Sequence, residues 1–186
     1  MIIVNDLRSG MSIEYENNIY LVLDMSHNKT AMRQMIIKVK VKNMRSGSIT
    51  ELTFTGGDKV NPAHIDKVEM EYLYDAGEAL VFMDTSTYEQ IEILKENLTW
   101  ELNFLKPNSK VTITMFQGEI LGIALPDKVV LEIVEAEPAV KGDTATGALK
   151  NATLETGLLI KVPLFIESGE RVIVTTSDGK YSSREK

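Results

Sequence analysis

Residues 34–42 read QMIIKVKVK. Side chains of an extended strand alternate between its two faces. Met35, Ile37, Val39 and Val41 therefore share one side, and Gln34, Ile36, Lys38, Lys40 and Lys42 the other. That pattern predicts a half-buried strand with an apolar inner face and an outer row of lysines about 7 Å apart. The run IYLVLDM at 19–25 alternates too, and Ile19, Leu21 and Leu23 offer a matching apolar face. The two runs read as a hairpin. Its connection, HNKTAMR at 27–33, holds neither Gly nor Pro. Tight hairpin turns need residues that accept positive φ, so this connection is a longer loop, and it presents the long side chains of Lys29, Met32 and Arg33.

The rest of the chain repeats the theme. VFMDTSTYEQIEI, KVTITMFQ, VVLEIVEAE, LLIKVPLFI and RVIVTTSDGKYSS are short β-branched and apolar runs broken by turn residues. Asp178-Gly179 is a two-residue hairpin signal. One stretch has helical spacing: Leu94, Leu98, Leu102 and Leu105 recur at steps of four, four and three, with Trp100 among them as a core residue. Many short strands and one short helix predict a mostly β protein of small barrels. Turn-rich NPAH and LPDK coincide with steps in charge near residues 63 and 127. Three modules are expected, 1–63, 64–127 and 128–186, each of roughly sixty residues and large enough to fold alone. Strand number and length suit five-stranded OB-type barrels for the second and third.

Composition bounds the function. The 186 residues are 44% apolar and 25% charged, with a net charge of -7 and no cysteine. Disulfides, thiolate nucleophiles and zinc–cysteine sites are thereby excluded, which fits a cytoplasmic protein. No apolar run reaches the ~18 residues of a membrane span, and the start MIIVNDLRSGM predicts no signal peptide. Neither a phosphate loop nor a dinucleotide fingerprint is present, and His27 and His64 fall in different modules. No metal site, cofactor or catalytic constellation is expected. The predicted role is binding, not catalysis.

Charge is unevenly spread. Residues 1–63 carry eight Lys/Arg against six Asp/Glu, residues 64–127 four against twelve, and residues 128–186 eight against nine. Lys29, Arg33, Lys38, Lys40, Lys42 and Arg45 follow one another without an intervening acid. One reading is a half-exposed strand whose lysines give solubility and discourage edge pairing. The other is a stripe that tracks a phosphate backbone, with an arginine at the tip to pair with phosphate or stack on a base.

Whole-chain motifs sharpen this. KNATLETGLLIKVPLFIESG at 150–169 fills a family signature through Lys150, Ala152, Gly157, Ile160, Val162, Pro163, Ile166 and Gly169. VNDLRSGM, RSGSI, YLYDAGE, VFMDTSTYEQ, VEAEPAVKGDTATG and SDGKYSSR add matches in order. The chain resembles bacterial translation elongation factor P along essentially its whole length. That resemblance implies an N-terminal KOW/SH3-like barrel and two OB-type barrels in an elongated, tRNA-like arrangement. It further implies a monomeric, non-enzymatic factor that binds the 70S ribosome and its rRNA between the peptidyl-tRNA and exit sites. Such factors promote peptide-bond formation at consecutive prolines by positioning the CCA end of peptidyl-tRNA.

By the same resemblance, Lys29, Met32 and Arg33 are expected at the CCA end, and Lys38, Lys40, Lys42 and Arg45 on RNA backbone. Gly142, Asp143 and Thr144 of GDTATG, with Tyr181 and Arg184, are expected at the small subunit and the exit-site mRNA codon. Lys150 and Pro163 are expected to be structural. The chain departs from the family at the tip: the usual PGKG corresponds to Thr30, Ala31, Met32 and Arg33. Met32 stands where the family's modified lysine stands and cannot take an amide-linked extension. An unmodified tip with Arg33 as leading contact is expected. A paralogue of narrower stall specificity and a general single-stranded nucleic-acid binder are the alternatives; aromatic content of 6% and the absence of basic OB modules argue against the latter.

Overall fold

The computed structural model describes residues 1–28, 35–140 and 147–186. It is a β protein, with sixteen strands among the described residues in three antiparallel sheets that follow one another along the chain. The first sheet contains β1 (Ile2–Ile3), β2 (Ser12–Tyr15), β3 (Asn18–Asn28), β4 (Ile36–Asn43), β5 (Ile49–Thr55) and β6 (Lys59–Pro62), in the order β1-β6-β2-β3-β4-β5. The second contains β7 (Asp66–Asp75), β8 (Ala79–Asp84), β9 (Gln90–Leu94), β10 (Lys110–Phe116) and β11 (Glu119–Ala124), ordered β11-β10-β7-β8-β9. The third contains β12 (Lys128–Ala136), β13 (Leu149–Leu154), β14 (Leu159–Pro163), β15 (Arg171–Thr175) and β16 (Tyr181–Arg184), ordered β14-β13-β12-β15-β16.

Packing divides the chain into two compact units. One is residues 1–68 with 113–123; the other is residues 69–112 with 124–186. In the first unit, Ile37, Val39 and Val41 of β4 are wholly buried among Val4, Leu7, Ile13 and Phe54. The expected inner face of β4 is therefore the observed one. On β3 it is not: Tyr20 and Val22 face that core, not Leu21 and Leu23. Register shifts between Val22 and Asp24, so Met25 turns inward beyond the bulge. Ile19 is buried as well, in a separate cluster with Ala63 and Phe116. The start of β3 is covered on both faces, and simple alternation fails there.

In the second unit, Leu131 and Ile133 of β12 anchor a core with Leu154, Val162, Val172, Val174 and Phe104. The expected helix over Leu94–Leu105 is absent. Leu94 ends β9, and two 3-10 turns, Lys95–Asn97 and Glu101–Asn103, follow. Isolated i→i+4 bonds such as Leu102 N–H to Leu98 C=O remain. A helix that short is marginal without tertiary support, and here packing favours Leu98, Phe104 and Leu105 at the expense of a regular face. Trp100 is 43% exposed, not a core residue. Its indole N–H donates to the Thr176 carbonyl (2.9 Å), and its ring meets Phe104 edge-on, 5.3 Å between centroids.

The Asp178-Gly179 signal does mark a hairpin, but a wider one than two residues, since β15 ends at Thr175 and β16 begins at Tyr181. Asp178 accepts from the Thr175 hydroxyl and the Lys180 amide, and Gly179 takes φ +70°.

Leu131 lies on the central strand of the third sheet with no solvent exposure. Leu131→Ala is expected to cost about 2–5 kcal/mol in urea unfolding, the range for a cavity that its surroundings only partly refill. Trp100→Phe keeps an aromatic side chain but loses the indole N–H bond and part of the ring contact at a half-exposed site, and is expected to cost about 1–2 kcal/mol.

Candidate nucleic-acid interface

The outer face of β4 is set by its register. Lys38 lies between Ser26 and Thr53, Lys40 between Asp24 and Glu51, and Lys42 between Leu21 and Ile49. Lys38 Nζ reaches diagonally to Glu51 Oε1 at 3.0 Å. The basic run is free of acids along the chain but not across the sheet, because β3 and β5 each bring one to it. Lys40 alone of the three has acids directly opposite, one on each neighbouring strand; Lys42 has none opposite, and Lys38 meets its acid on the diagonal. The face is mixed lysine, hydroxyl and carboxylate, with Lys40 and Lys42 exposed.

Lys29, Met32 and Arg33 lie outside the described residues, as do Gly142, Asp143 and Thr144. The flanks of the first segment are defined. Asn28 pairs with Ile36, and the Met35 carbonyl accepts the Gly56 amide at 2.6 Å. Asn5, from the 3-10 turn Val4–Asp6, bridges the same corner. Its Oδ1 accepts the Gly57 amide (3.1 Å), and its Nδ2 donates to the Met35 sulfur (3.9 Å). A Cβ on Gly56 would meet Met35 Cβ at 3.1 Å and the Met35 carbonyl oxygen at 3.4 Å. Sequence reading missed Asn5 and Gly56, and only the unusual doublet Gly56-Gly57 hinted at a close approach there.

Arg45 has its guanidinium occupied. Nε and Nη2 donate to the two carboxylate oxygens of Glu119, each at 2.8 Å, and Nη1 donates to the Asn17 carbonyl at 2.6 Å. The Glu119 carboxyl is held below its ordinary pKa by the hydrogen bond from Arg45, and the same bond raises Arg45. A depressed carboxyl pKa contributes stability above its unfolded value and loses it as pH falls through the folded one. The pair is thus intact at neutral pH and opens only in acid.

In the third sheet, Tyr181 is half-buried and packs on the Leu131–Ile133 core. Arg184 donates to Glu170 Oε1 at 2.6 Å and stands 5.5 Å over the exposed ring of Phe165. Phe165 and Glu170 were not singled out by sequence reading. Lys150 is buried on β13, paired in register with Val162. Among the described residues no three His, Cys, Asp or Glu side chains gather as a metal site.

Two solved structures share this fold. A eukaryotic translation initiation factor 5A from Methanococcus jannaschii matches 67% of this chain and 90% of its own length, with TM-score 0.52 and 20% identity. A translation initiation factor eif-5a family protein from Naegleria fowleri matches 67% and 96%, with TM-score 0.51 and 11% identity. At these identities the likeness speaks to the fold. Family models then match in chain order: an elongation factor P KOW-like domain at residues 3–60, an elongation factor P OB domain at 65–123, and elongation factor P, C-terminal, at 129–184. The class is that of translation factors assembled from KOW-like and OB domains. Named relatives are close. Elongation factor P of Mesoplasma florum is 53% identical over 181 residues, 97% of this chain and 98% of the relative. That of Mesomycoplasma hyopneumoniae is 52% identical over 184 residues, 99% and 100%. This chain belongs to the elongation factor P family.

Gly56→Ala is expected to displace Met35 and to cost about 1–3 kcal/mol, the range for an overpacked contact. Gly122→Ala places its Cβ in open space and should stay within about 0.5 kcal/mol of wild type. Equal urea midpoints for the two variants would mean that the corner at Met35 is not close-packed.

Proposed function

We propose that this protein acts on the bacterial 70S ribosome, between the peptidyl-tRNA and exit sites, and promotes peptide-bond formation at consecutive prolines. One observation carries the reading: 52–53% identity to proteins named elongation factor P, over 97–99% of this chain. The proposed mechanism is positioning, with no catalytic group and no cofactor. The loop between β3 and β4 brings Arg33, Met32 and Lys29 to the CCA end of peptidyl-tRNA and limits its disorder. Each tenfold acceleration needs only about 1.4 kcal/mol off the barrier, which a few ordered contacts supply.

In this reading the exposed Lys40 and Lys42, with Lys38 beside them, lie along RNA backbone. Gly142, Asp143 and Thr144 reach the small subunit near the exit-site codon of the mRNA, flanked by Tyr181 and Arg184. The working parts are three modules, 1–63, 64–127 and 128–186, in a tRNA-like, monomeric, cytoplasmic factor. No helix among the described residues is long and apolar enough to cross a membrane, which is compatible with that setting.

The test is synthesis of a proline-repeat peptide on cognate ribosomes, with recombinant protein verified by mass to be unmodified. Acceleration is expected, and Arg33→Ala should reduce it about tenfold, the effect of one lost charged contact. Lys59→Ala, a substitution of an exposed residue at the start of β6, should leave it unchanged. Failure of both recombinant protein and protein from its own cells to accelerate synthesis would overturn the reading. Success of the native protein alone would instead show that the tip requires modification.

A further inference from the structure

The basic residue that the sequence places last in the stripe has all three of its guanidinium nitrogens bonded within the protein, through three of its five N–H donors. Three turns meet at Arg45. It lies in the β4–β5 turn, where Asn43 Oδ1 accepts the Arg45 amide at 2.9 Å and the Gly47 amide bonds back to the Asn43 carbonyl at 2.8 Å. One side of its guanidinium holds the β2–β3 turn through the Asn17 carbonyl, at a residue with φ +61°. The other side grips Glu119, the first residue after the Gln117-Gly118 turn. The same segments also share an apolar cluster: Ile19, Ala63 and Phe116 buried, with Met44, Ile65 and Leu121 packed against them.

The two layers do different things. Apolar burial is non-directional, so the cluster holds residues 113–123 against the first sheet without fixing one angle. A two-pronged guanidinium–carboxylate pair is planar and admits essentially one approach. We propose that Arg45 is a positioning residue that acts through Glu119 to fix the 113–123 hairpin on the first sheet, and that it is not a phosphate contact. Lys40 and Lys42 then carry the outward charge of the stripe, and the orientation of that stripe relative to the hairpin depends on a pair 74 residues apart in sequence.

The absence of cysteine makes the test clean. Spin labels on Lys59→Cys and Gly122→Cys, both exposed positions of the first unit, report the distance between sheet and hairpin by pulsed electron resonance. Arg45→Gln and Glu119→Gln are each expected to broaden the distance distribution, and to lower proline-repeat synthesis at saturating factor about threefold, a modest misplacement penalty. The double variant should be no worse than either single, because one interaction is being removed twice. The translation readout rests on the ribosomal reading above; the distance readout does not. If Glu119→Gln leaves the distances unchanged, or if Arg45→Gln weakens ribosome affinity with its distances intact, Arg45 is not a positioning residue. If wild type itself fails to accelerate synthesis, the ribosomal reading falls while the distances still decide the clasp.

Discussion

Everything on the first sheet is organised by the complete burial of Ile37, Val39 and Val41. Each such side chain contributes about 1.5–3 kcal/mol on leaving water, so a one-residue slip of β4 would forfeit several kcal/mol and drive three lysines into an apolar interior. Register is therefore not negotiable. Once it is fixed, Lys38, Lys40 and Lys42 must point outward, and the ends of β3 and β4 must meet where Asn28 pairs with Ile36. The pairing that closes this end of the two strands is a consequence of hydrophobic alternation along β4.

That much was legible because it is local. Alternation in QMIIKVKVK has period two, and from Met35 to Lys42 the described strand follows it. The companion strand was misread because alternation is a rule for a strand covered on one side, without bulges. β3 breaks both conditions: its register shifts after Val22, and residue 19 is buried by a hairpin more than ninety residues downstream. The helix expected over Leu94–Leu105 failed for a related reason. Four leucines at helical spacing satisfy a pattern, but the buried positions include Phe104, off the leucine stripe, and Leu94 belongs to β9. Partners distant in sequence, not local preference, chose which side chains went inside.

Arg45 shows the same limit at the candidate site. Along the chain it closes an acid-free basic run, which is the pattern of a nucleic-acid contact. In space its neighbour is Glu119, and no local signal could have announced that pairing. The Lys38–Glu51 pair teaches the converse lesson, since Glu51 sits only thirteen residues away and hairpin register alone would have predicted an acid near the lysines. A charge run read in one dimension overstates the field that it generates in three.

Interleaving acids with lysines has a physical consequence for an RNA-binding role. Affinity from counterion release scales with the number of phosphates neutralised, with a slope of about −0.7 to −0.9 in log salt per contact. Asp24 and Glu51 offset part of the charge of Lys38, Lys40 and Lys42, so this face gains little from indiscriminate attraction to polyanions. A net charge of -7 likewise opposes nonspecific attraction to polyanions. For a factor proposed to occupy one gap on a ribosome made largely of RNA, weak general attraction is an advantage: it leaves discrimination to geometry. On the positioning role proposed for Arg45, the relative placement of sheet and hairpin matters more than the total of positive charge.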